Sequence, residues 1–286
     1  MKQASIVVLD LGGTKINVGR YRDGKIEQNM VQPFDGQLSV SDSIVFLIGC
    51  INKLKLIDTC AIAIGVPSIV DVEQGIVYSA VNIASWKKVH LKNMLEEHFS
   101  LPVYVNNDVN CFSVGEHLSG AGKGFKDMIG LCLGTGLGAG IILHNKLYSG
   151  RNGCAGEIGS ISYLDSTLDD YCSGNFFKTQ FNHNGEVLAV KARNGDKIAI
   201  GAFQQFGLHL SAAIKQLLLM FDPELIVIGG SVGQSFDLFI EHVWQSLDDF
   251  PYKNMLESLS IEQSQQQQHS ALIGAAHLYL TSQSSL

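Results

Sequence analysis

Two stretches of this sequence, each a pair of short apolar runs joined by a glycine-rich turn, recur at an offset of 122 residues. The first spans 5–21 and contains the letters DLGGTK; the second spans 129–143 and contains LGTGLGAG. Runs rich in β-branched residues predict strands, and the glycines between them predict tight turns. A hairpin repeated at the start of each half of a chain indicates duplicated domains. The copies differ at one informative position, Asp10 in the first and Cys132 in the second.

The rest of the chain alternates apolar runs typical of buried strands with amphipathic stretches typical of helices. This alternation predicts an α/β fold. A chain of 286 residues is long enough for two domains. We expect a smaller N-terminal domain at 1–117, completed by a C-terminal helix at 271–286, and a larger domain at 118–270.

Composition excludes several classes of protein. With 46% hydrophobic and 16% charged residues, the chain is not of the disordered type. Its formal net charge of -7 disfavours nucleic acid and anionic membrane surfaces as partners. The longest uncharged apolar run, 128–143, contains five glycines and is shorter than the ~20 residues that span a bilayer. The N-terminus has no signal-peptide pattern, so we expect a cytoplasmic protein with its six scattered cysteines reduced.

Both glycine-rich turns suit phosphate binding. In DLGGTK, a turn without side chains lets backbone amides approach a phosphate, and the neighbouring carboxylate of Asp10 suits a magnesium ion. The pattern is neither a dinucleotide-binding fingerprint nor a P-loop. One such turn is more often structural than functional. A second turn with four alternating glycines and the hydroxyl of Thr135 shifts the balance, and together they predict a nucleotide held by two domains.

Six motifs in order make the chain resemble the ROK family of sugar kinases and sugar-responsive repressors. They are DLGGTK (10–15), GVPSIVD with NIASW (65–71 and 82–86), VNNDVNCFSVGE (105–116), LGTGLGAG (133–140), GCAGEIG (153–159) and DPELIVIGGSV (222–232). The resemblance runs nearly from end to end. It implies a two-domain actin-like ATPase fold, of the ribonuclease H-like type, with the active site in the interdomain cleft.

The resemblance implies that Asp108 is the catalytic base and that Asn107 binds a sugar hydroxyl. Phosphoryl transfer to an alcohol needs positioned phosphates, neutralised charge and a base beside the attacking oxygen. The alternative is that Asn107-Asp108 caps a helix starting at Val109, because Asp is a favoured N-cap residue. For the pair alone, capping is the favoured interpretation; within this order of motifs, catalysis is.

The resemblance also assigns the remaining site residues. Glu157 matches a carboxylate that contacts sugar hydroxyls, against the alternative of an ordinary surface glutamate. Gly229-Gly230 resembles the family loop on which adenosine rests. The alternative is a strand-to-helix turn without a binding role. The predicted substrate-binding residues are Gly65, Asn82, Asn107, Asp108, Glu157, Ser160 and Asp169. The predicted ATP-binding residues are Asp10, Gly12, Gly13, Thr14, Lys15, Gly134, Thr135, Gly136, Gly138, Gly229 and Gly230, with Asp10 also holding Mg²⁺.

The sequence departs from the family where many members bind a structural zinc ion. Ser160 stands at the position of a histidine ligand, and Cys172 is alone where relatives carry a cysteine cluster. Asp169 stands at the position of a family glutamate. One thiol cannot make a closed tetrahedral site, so we predict no zinc. Packing should hold this region instead, through Ile161, Tyr163, Leu164, Leu168 and Tyr171.

The favoured function is an ATP-dependent kinase acting on the 6-hydroxyl of an aldohexose or N-acetylhexosamine, with glucose and N-acetylmannosamine the favoured substrates. A sugar-sensing regulator is the alternative from another class; only nine residues precede Asp10, so we expect no helix-turn-helix there. A non-catalytic sugar-binding protein is disfavoured because Asp10, Asp108 and both glycine turns occur together. Family analogy further implies a homodimer. Ser68, which replaces a usual glycine, has no obvious consequence.

Overall fold

The structure is a computed structural model that describes residues 4–266 and 269–284. Contacts divide these residues into two compact units, one of 4–120, 147–155 and 269–284 and the other of 121–146 and 156–266. The predicted domain division stays a prediction; it did not group 147–155 with the N-terminal part. Residues 1–3, 267–268 and 285–286 of the predicted ranges lie outside the described residues.

The N-terminal part of the first unit is built on a mixed five-stranded sheet. Its order is β3-β2-β1-β4-β8, with β1 antiparallel to β2 and the strands β1, β4 and β8 mutually parallel. The elements are β1 (Ser5–Leu11), β2 (Lys15–Arg22), β3 (Lys25–Pro33), α1 (Val40–Leu54), β4 (Thr59–Val66), β5 (Ile69–Asp71), β6 (Ile76–Tyr78), β7 (Lys88–Val89), α2 (Leu91–Phe99), β8 (Val103–Asn107) and α3 (Asp108–Ser119).

Local chemistry explains why helix α1 forms and how it is held. The side chain of Ser39 caps its N-terminus by accepting a hydrogen bond from Asp42 N, and its apolar face buries Leu47 and Ile51. Trp86, fully buried in the same apolar cluster, donates its indole N–H to Ser43 Oγ at 2.8 Å. The indole N–H of Trp86 is therefore hydrogen-bonded although it lies in an apolar cluster.

A second five-stranded sheet has the order β11-β10-β9-β14-β15, with β9 antiparallel to β10 and parallel to β14. This is the same order of hairpin and parallel strands as in the first sheet. The elements are β9 (Met128–Leu133), β10 (Leu137–Leu143), β11 (Lys146–Tyr148), β12 (Ser162–Tyr163), β13 (Ser166–Thr167), α4 (Leu168–Tyr171), α5 (Gly174–Phe181), α6 (Gly185–Arg193), α7 (Lys197–Phe221), β14 (Leu225–Gly229), α8 (Gly230–Gly233), α9 (Phe236–Leu247), α10 (Lys253–Ser258) and β15 (Ser260–Gln263). The last helix, α11 (Ser270–Ser284), belongs to the first unit.

The long helix α7 organises the core of the second unit. Its N-terminus is capped by Asp196, whose side chain accepts from Ile198 N and Ala199 N, and it ends at Asp222, which adopts a left-handed conformation before Pro223. Phe203 and Phe206 on this helix pack against Phe177 with ring centroids 4.8 and 5.0 Å apart. Across residues 4–266 and 269–284, no helix combines the length and apolarity needed to cross a membrane.

Candidate active site

The predicted residues of the first unit meet at the carboxyl ends of β1, β4 and β8. Asp10 on β1 lies opposite Gly65 on β4, and Gly65 lies opposite Asn106 on β8. Because the three strands are parallel and adjacent, residues at their carboxyl ends share one edge of the sheet. The chain leaves β8 through Asn107 and enters α3 at Asp108. The structure therefore brings Asp10, Gly65, Asn107 and Asp108 to one edge.

Asn107, not Asp108, is the N-cap of α3. Its Oδ1 accepts a hydrogen bond from Asn110 N at 2.9 Å, and its Nδ2 donates to Ser68 O at 3.2 Å. Asp108 is the first helical residue, and its Oδ1 accepts from Val109 N at 2.9 Å. The capping alternative, with a helix starting at Val109, was therefore off by one residue. Helix capping therefore accounts for the presence of Asn107 at this position, and it does not account for the acid at Asp108.

The thiol of Cys111, one turn into α3, interacts electrostatically with both carboxylates at this edge of the sheet. Burial and the negative charges of Asp108 and Asp10 raise the pKa of its thiol well above the ordinary value. The thiol is therefore neutral at physiological pH. Gly65 fits beneath it, because an added Cβ would lie 3.2 Å from Asp108 Cα and 3.4 Å from Cys111 Sγ. Gly65, predicted to bind substrate, thus also sets how closely α3 approaches β4.

Asp10 is a partly buried carboxylate with incomplete charge compensation. Desolvation raises its pKa to about 6, and the positive charge of Lys15 acts in the opposite direction. A carboxylate oxygen is a hard ligand, and Mg²⁺ is commonly bound by one or two carboxylates together with phosphate oxygens. Because Lys15 offsets only part of the effect of burial on Asp10, the carboxylate of Asp10 is suited to bind such an ion. Lys15 is exposed beside it on β2.

The turn between β1 and β2 packs against the loop that contains Asn82. Gly12 N donates to Lys15 O at 2.9 Å and Thr14 O accepts from Phe34 N at 2.9 Å. An added Cβ on Gly13 would lie 2.3 Å from the Cβ of Asn82, so only glycine fits there. The predicted phosphate turn and the predicted sugar residue Asn82 are thus neighbours. Sequence reasoning missed Gly36, whose added Cβ would lie 2.0 Å from Asn82 O.

The glycines of the second sheet also gather at one edge. Gly138 on β10 and Gly229 on β14 both lie opposite Cys132 of β9. The adjoining turn is closed by a hydrogen bond from Gly134 N to Gly136 O at 2.9 Å, with Thr135 exposed at its tip. Gly230 follows at the start of α8 with a φ of 83°. Cys132 holds the register position that Asp10 holds in the first sheet.

Two predicted sugar-binding carboxylates of the second unit influence one another. Glu157 is exposed, and its pKa is raised by desolvation and by the negative charge of Asp169. Ser160, also exposed, ends a short 3₁₀ turn and donates its N–H to Glu157 O at 3.3 Å. One oxygen of Asp169 accepts a hydrogen bond from Leu137 N at 2.5 Å. Asp169 is thus already engaged with the backbone after the glycine turn.

An aromatic cluster holds the segment where the sequence departs from the zinc-binding pattern. Tyr163 meets Tyr171 and His209 edge to face, the rings of Tyr171 and His209 are tilted against each other, and the Tyr163 hydroxyl lies 3.2 Å from His209 Nδ1. Leu168 is fully buried, whereas Leu164 is 69% exposed, so its predicted role in packing was wrong. Within the described residues, no group of three or more His, Cys, Asp or Glu side chains could hold a metal ion. The predicted absence of zinc stays a prediction.

Residues 6–282 match the ROK family. The chain belongs to the ROK family. A glucokinase of Streptomyces coelicolor is 29% identical over 83% of this chain and 85% of its own. A xylose repressor of Caldicellulosiruptor bescii is 28% identical over 77% of this chain and 62% of its own. The ROK family has both kinase and regulator members similar to this chain.

The structure of a ROK glucokinase from Streptomyces griseus in complex with glucose and AMPPNP superimposes with a TM-score of 0.83. It shares 26% sequence identity, and the match covers 96% of this chain and 98% of that one. The predicted α/β fold of the two-domain actin-like ATPase type is thereby confirmed.

Proposed function

We propose that this protein is an ATP-dependent sugar kinase that phosphorylates the 6-hydroxyl of an aldohexose or N-acetylhexosamine, with glucose and N-acetylmannosamine the favoured substrates. The observation that carries the proposal is the convergence of Asp10 and Asp108 at the carboxyl ends of β1 and β8, the two parallel strands on either side of β4, near the buried thiol of Cys111. A kinase needs one acid for the metal-bound phosphates and another for the attacking hydroxyl. The kinases among the relatives support this assignment.

In the proposed reaction, Asp108 accepts the proton of the sugar hydroxyl while the hydroxyl oxygen attacks the γ-phosphorus of ATP. The bond between the γ-phosphorus and the β,γ-bridging oxygen breaks, and ADP leaves with the bond's electrons. Asn107 contributes the orientation of the sugar. Its Nδ2 and Oδ1 are already bonded within the unit, so its position is defined before any ligand arrives.

The remaining assignments divide between sugar and nucleotide. We assign the sugar to Gly65, Asn82, Glu157 and Ser160, and the phosphates and nucleoside to the glycine turns at 12–14, 134–138 and 229–230. Asp169, which the sequence predicted for the sugar, accepts a hydrogen bond from Leu137 N beside the second of these turns, so we do not assign it to the sugar. Lys15 adds positive charge beside Asp10. A magnesium ion held by Asp10 would neutralise charge on the phosphates of ATP.

A second candidate is a sugar-sensing transcriptional regulator, favoured by the similarity to the xylose repressor. The two candidates differ in one measurable consequence, since a regulator binds sugar without releasing ADP. The test is a coupled assay of ADP release from Mg-ATP over a panel of aldohexoses, N-acetylhexosamines, fructose and a β-glucoside. A kinase gives turnover with at least one sugar. Sugar binding by calorimetry without turnover on any member of the panel would overturn the proposal in favour of the regulator.

Family analogy predicts that the protein is a homodimer. Sedimentation equilibrium measures this directly, as a particle of twice the 31.0 kDa chain.

A further inference from the structure

The segment 168–174 forms three hydrogen bonds to the glycine turn that follows β9. Asp169 Oδ1 accepts from Leu137 N at 2.5 Å, and Ser173 Oγ donates to Thr135 O at 3.0 Å. Gly174 N donates to Gly134 O at 2.8 Å. Three of the four residues from Gly134 to Leu137 are therefore bonded to one short segment. We call the segment 168–174 the turn support.

The turn support is itself anchored in the core of the second unit. Leu168, Cys172 and Ser173 are all fully buried. Cys172 N donates to Leu168 O at 2.8 Å, which closes α4, and Ser173 Oγ also accepts from Asn175 N at 3.1 Å, which caps α5. A side chain that both caps a helix and bonds the turn has one defined orientation. The support therefore holds the turn from a rigid position.

The turn is shaped around the carboxylate of Asp169. An added Cβ on Gly136 would lie 2.8 Å from Asp169 Oδ1, and one on Gly159 would lie 2.9 Å from the same oxygen. At Gly136 the absence of a side chain is thus explained by Asp169, whereas at Gly159 the added Cβ would also lie 2.5 Å from Leu137 O. Asp169 Oδ1 therefore lies against the backbone of the turn.

We propose that Asp169 and Ser173 are positioning residues for the nucleotide: they hold the turn 134–137 so that the backbone N–H groups of Thr135 and Gly136 face phosphate. This inference rests on the proposed function, and it differs from the sugar-binding role that the sequence suggested for Asp169. Backbone N–H groups bind phosphate well only when they are held in a fixed concave arrangement. Loosening the turn should therefore weaken nucleotide binding and leave sugar binding intact.

The experiment compares Asp169→Ala, Asp169→Asn and Ser173→Ala with wild type in the full chain. Asp170→Ala is the matched control, because it removes the same charge from the next residue, whose carboxylate accepts from Ser166 Oγ on the hairpin instead. Steady-state kinetics separate the KM for ATP from the KM for the best sugar of the panel. Calorimetry with Mg-ADP measures nucleotide affinity without turnover.

We expect Asp169→Ala to raise the KM for ATP and the Kd for Mg-ADP about 10-fold, the loss typical of one charge-assisted hydrogen bond. The sugar KM should stay within about 2-fold, as expected if that hydrogen bond is not used for the sugar. Asp169→Asn keeps an acceptor of the same length and should restore most of the affinity. Ser173→Ala should resemble Asp169→Ala, and Asp170→Ala should resemble wild type.

The inference is overturned if Asp169→Ala raises the sugar KM and leaves the ATP KM unchanged, or if Asp170→Ala has the same effect. Wild-type protein that fails to bind Mg-ADP overturns the proposed function and this inference together. Wild type that binds Mg-ADP with the same affinity as every variant overturns the inference alone.

If the alanine variants do not fold, hydrogen exchange on the wild-type protein tests the inference instead. Peptides covering 134–137 and 168–174 should gain protection together when Mg-ADP binds, because the hydrogen bonds couple them. Protection of the turn without protection of the support overturns the inference.

Discussion

Asn107 and Asp108 are neighbours in the chain, yet their surroundings give them different tasks. The amide side chain of Asn107 is used at both ends, capping α3 and bonding Ser68 O. Asp108 Oδ1 accepts a hydrogen bond from Val109 N, and its negative charge lies at the N-terminus of α3, where a carboxylate is favoured. Asp10 differs again, since burial works against its charge. These surroundings fix the side chain of Asn107, which we propose orients the sugar, and distinguish it from Asp10 and Asp108, which we propose hold the metal ion and accept the proton.

Replacing Asp108 by Asn should abolish proton acceptance while leaving the helix start intact. We expect kcat to fall by about 10²- to 10⁴-fold, which is roughly 3 to 5 kcal/mol of barrier, with sugar affinity little changed. The measurement is ADP release under saturating substrate. Asp42→Asn is the matched control, because Asp42 occupies the first turn of α1 in the same unit. Near-wild-type turnover of Asp108→Asn would remove Asp108 from the role of base.

Replacing Asp10 by Asn should stabilise the ligand-free protein in a pH-dependent way. The folded-state pKa of about 6 exceeds the unfolded value of 3.8, so between these values the folded protein binds more protons and stability falls as pH rises. The charged carboxylate costs the wild type about 1 to 3 kcal/mol above pH 7. Asp10→Asn escapes this cost.

Urea denaturation at pH 8 and pH 4 without metal or nucleotide tests this expectation. The free energy of unfolding should favour Asp10→Asn at pH 8, and the difference should shrink towards pH 4. A difference independent of pH would show that Asp10 is not desolvated in the folded protein. Activity of the variant should be lost under all conditions, since stability and function at this position oppose each other.

Among the elements of the first unit, α3 and α11 pack closely against each other. An added Cβ on Gly274 would lie 1.8 Å from Cys111 O, and one on Gly115 would lie 1.9 Å from Ser270 O. Glu116, fully buried on α3, accepts from Ser270 Oγ at 2.5 Å. Because Cys111 and Asp108 are on the same helix, the contact with α11 fixes the helix that carries the proposed base.

Replacing Gly274 by Ala should push α11 away from α3. Overpacking of this kind costs about 1 to 3 kcal/mol of unfolding free energy. The matched control is Gly49→Ala in α1, where an added Cβ has no atom within 4 Å. That exposed change should stabilise the protein by about 0.5 to 1 kcal/mol, because alanine is the better helix former. Denaturation of both variants by urea measures the difference, and equal stability of the two would contradict the tight contact.

At the scale of the whole molecule, the hairpin repeated in the sequence corresponds to two sheets of the same strand order. The hairpin strands are antiparallel in both, and the next strand is parallel to the first in both. The sheets differ at equivalent positions, Asp10 in one and Cys132 in the other. The first sheet therefore presents a carboxylate at its strand ends, and the second sheet presents mainly backbone groups there.

Zinc content is a property of the whole chain, and we expect much less than one equivalent. Of the six cysteines, Cys50, Cys111 and Cys172 are buried, and desolvation raises the pKa of each thiol, which opposes metal binding. Elemental analysis of protein purified without chelator measures the content. Adding a chelator should leave the free energy of unfolding of the ligand-free protein unchanged. Zinc near one equivalent, lost together with activity on chelation, would contradict the interpretation that the aromatic cluster of Tyr163, Tyr171 and His209 holds this segment without zinc.

Strand positions near the site followed from local sequence. The first hairpin stretch was expected at 5–21, and it forms β1 (Ser5–Leu11) and β2 (Lys15–Arg22). Hairpins depend on β-branched residues and turn glycines within a few positions of one another, so the chain's own letters suffice. The start of α3 was misplaced by one residue because Asn and Asp are equally good caps and both were present.

Local sequence was enough to predict the alternation of strands and helices, the repeated hairpin and the polar residues at the strand ends, because these depend on neighbours along the chain. The contact of Asp169 with Leu137, the exposure of Leu164 and the contact of Gly274 with Cys111 could be seen only in the folded chain. These partners are 32 residues apart in the first case and far more distant in the last. Contacts of that kind are set by how whole elements pack, and packing depends on shape and volume in three dimensions rather than on local letters.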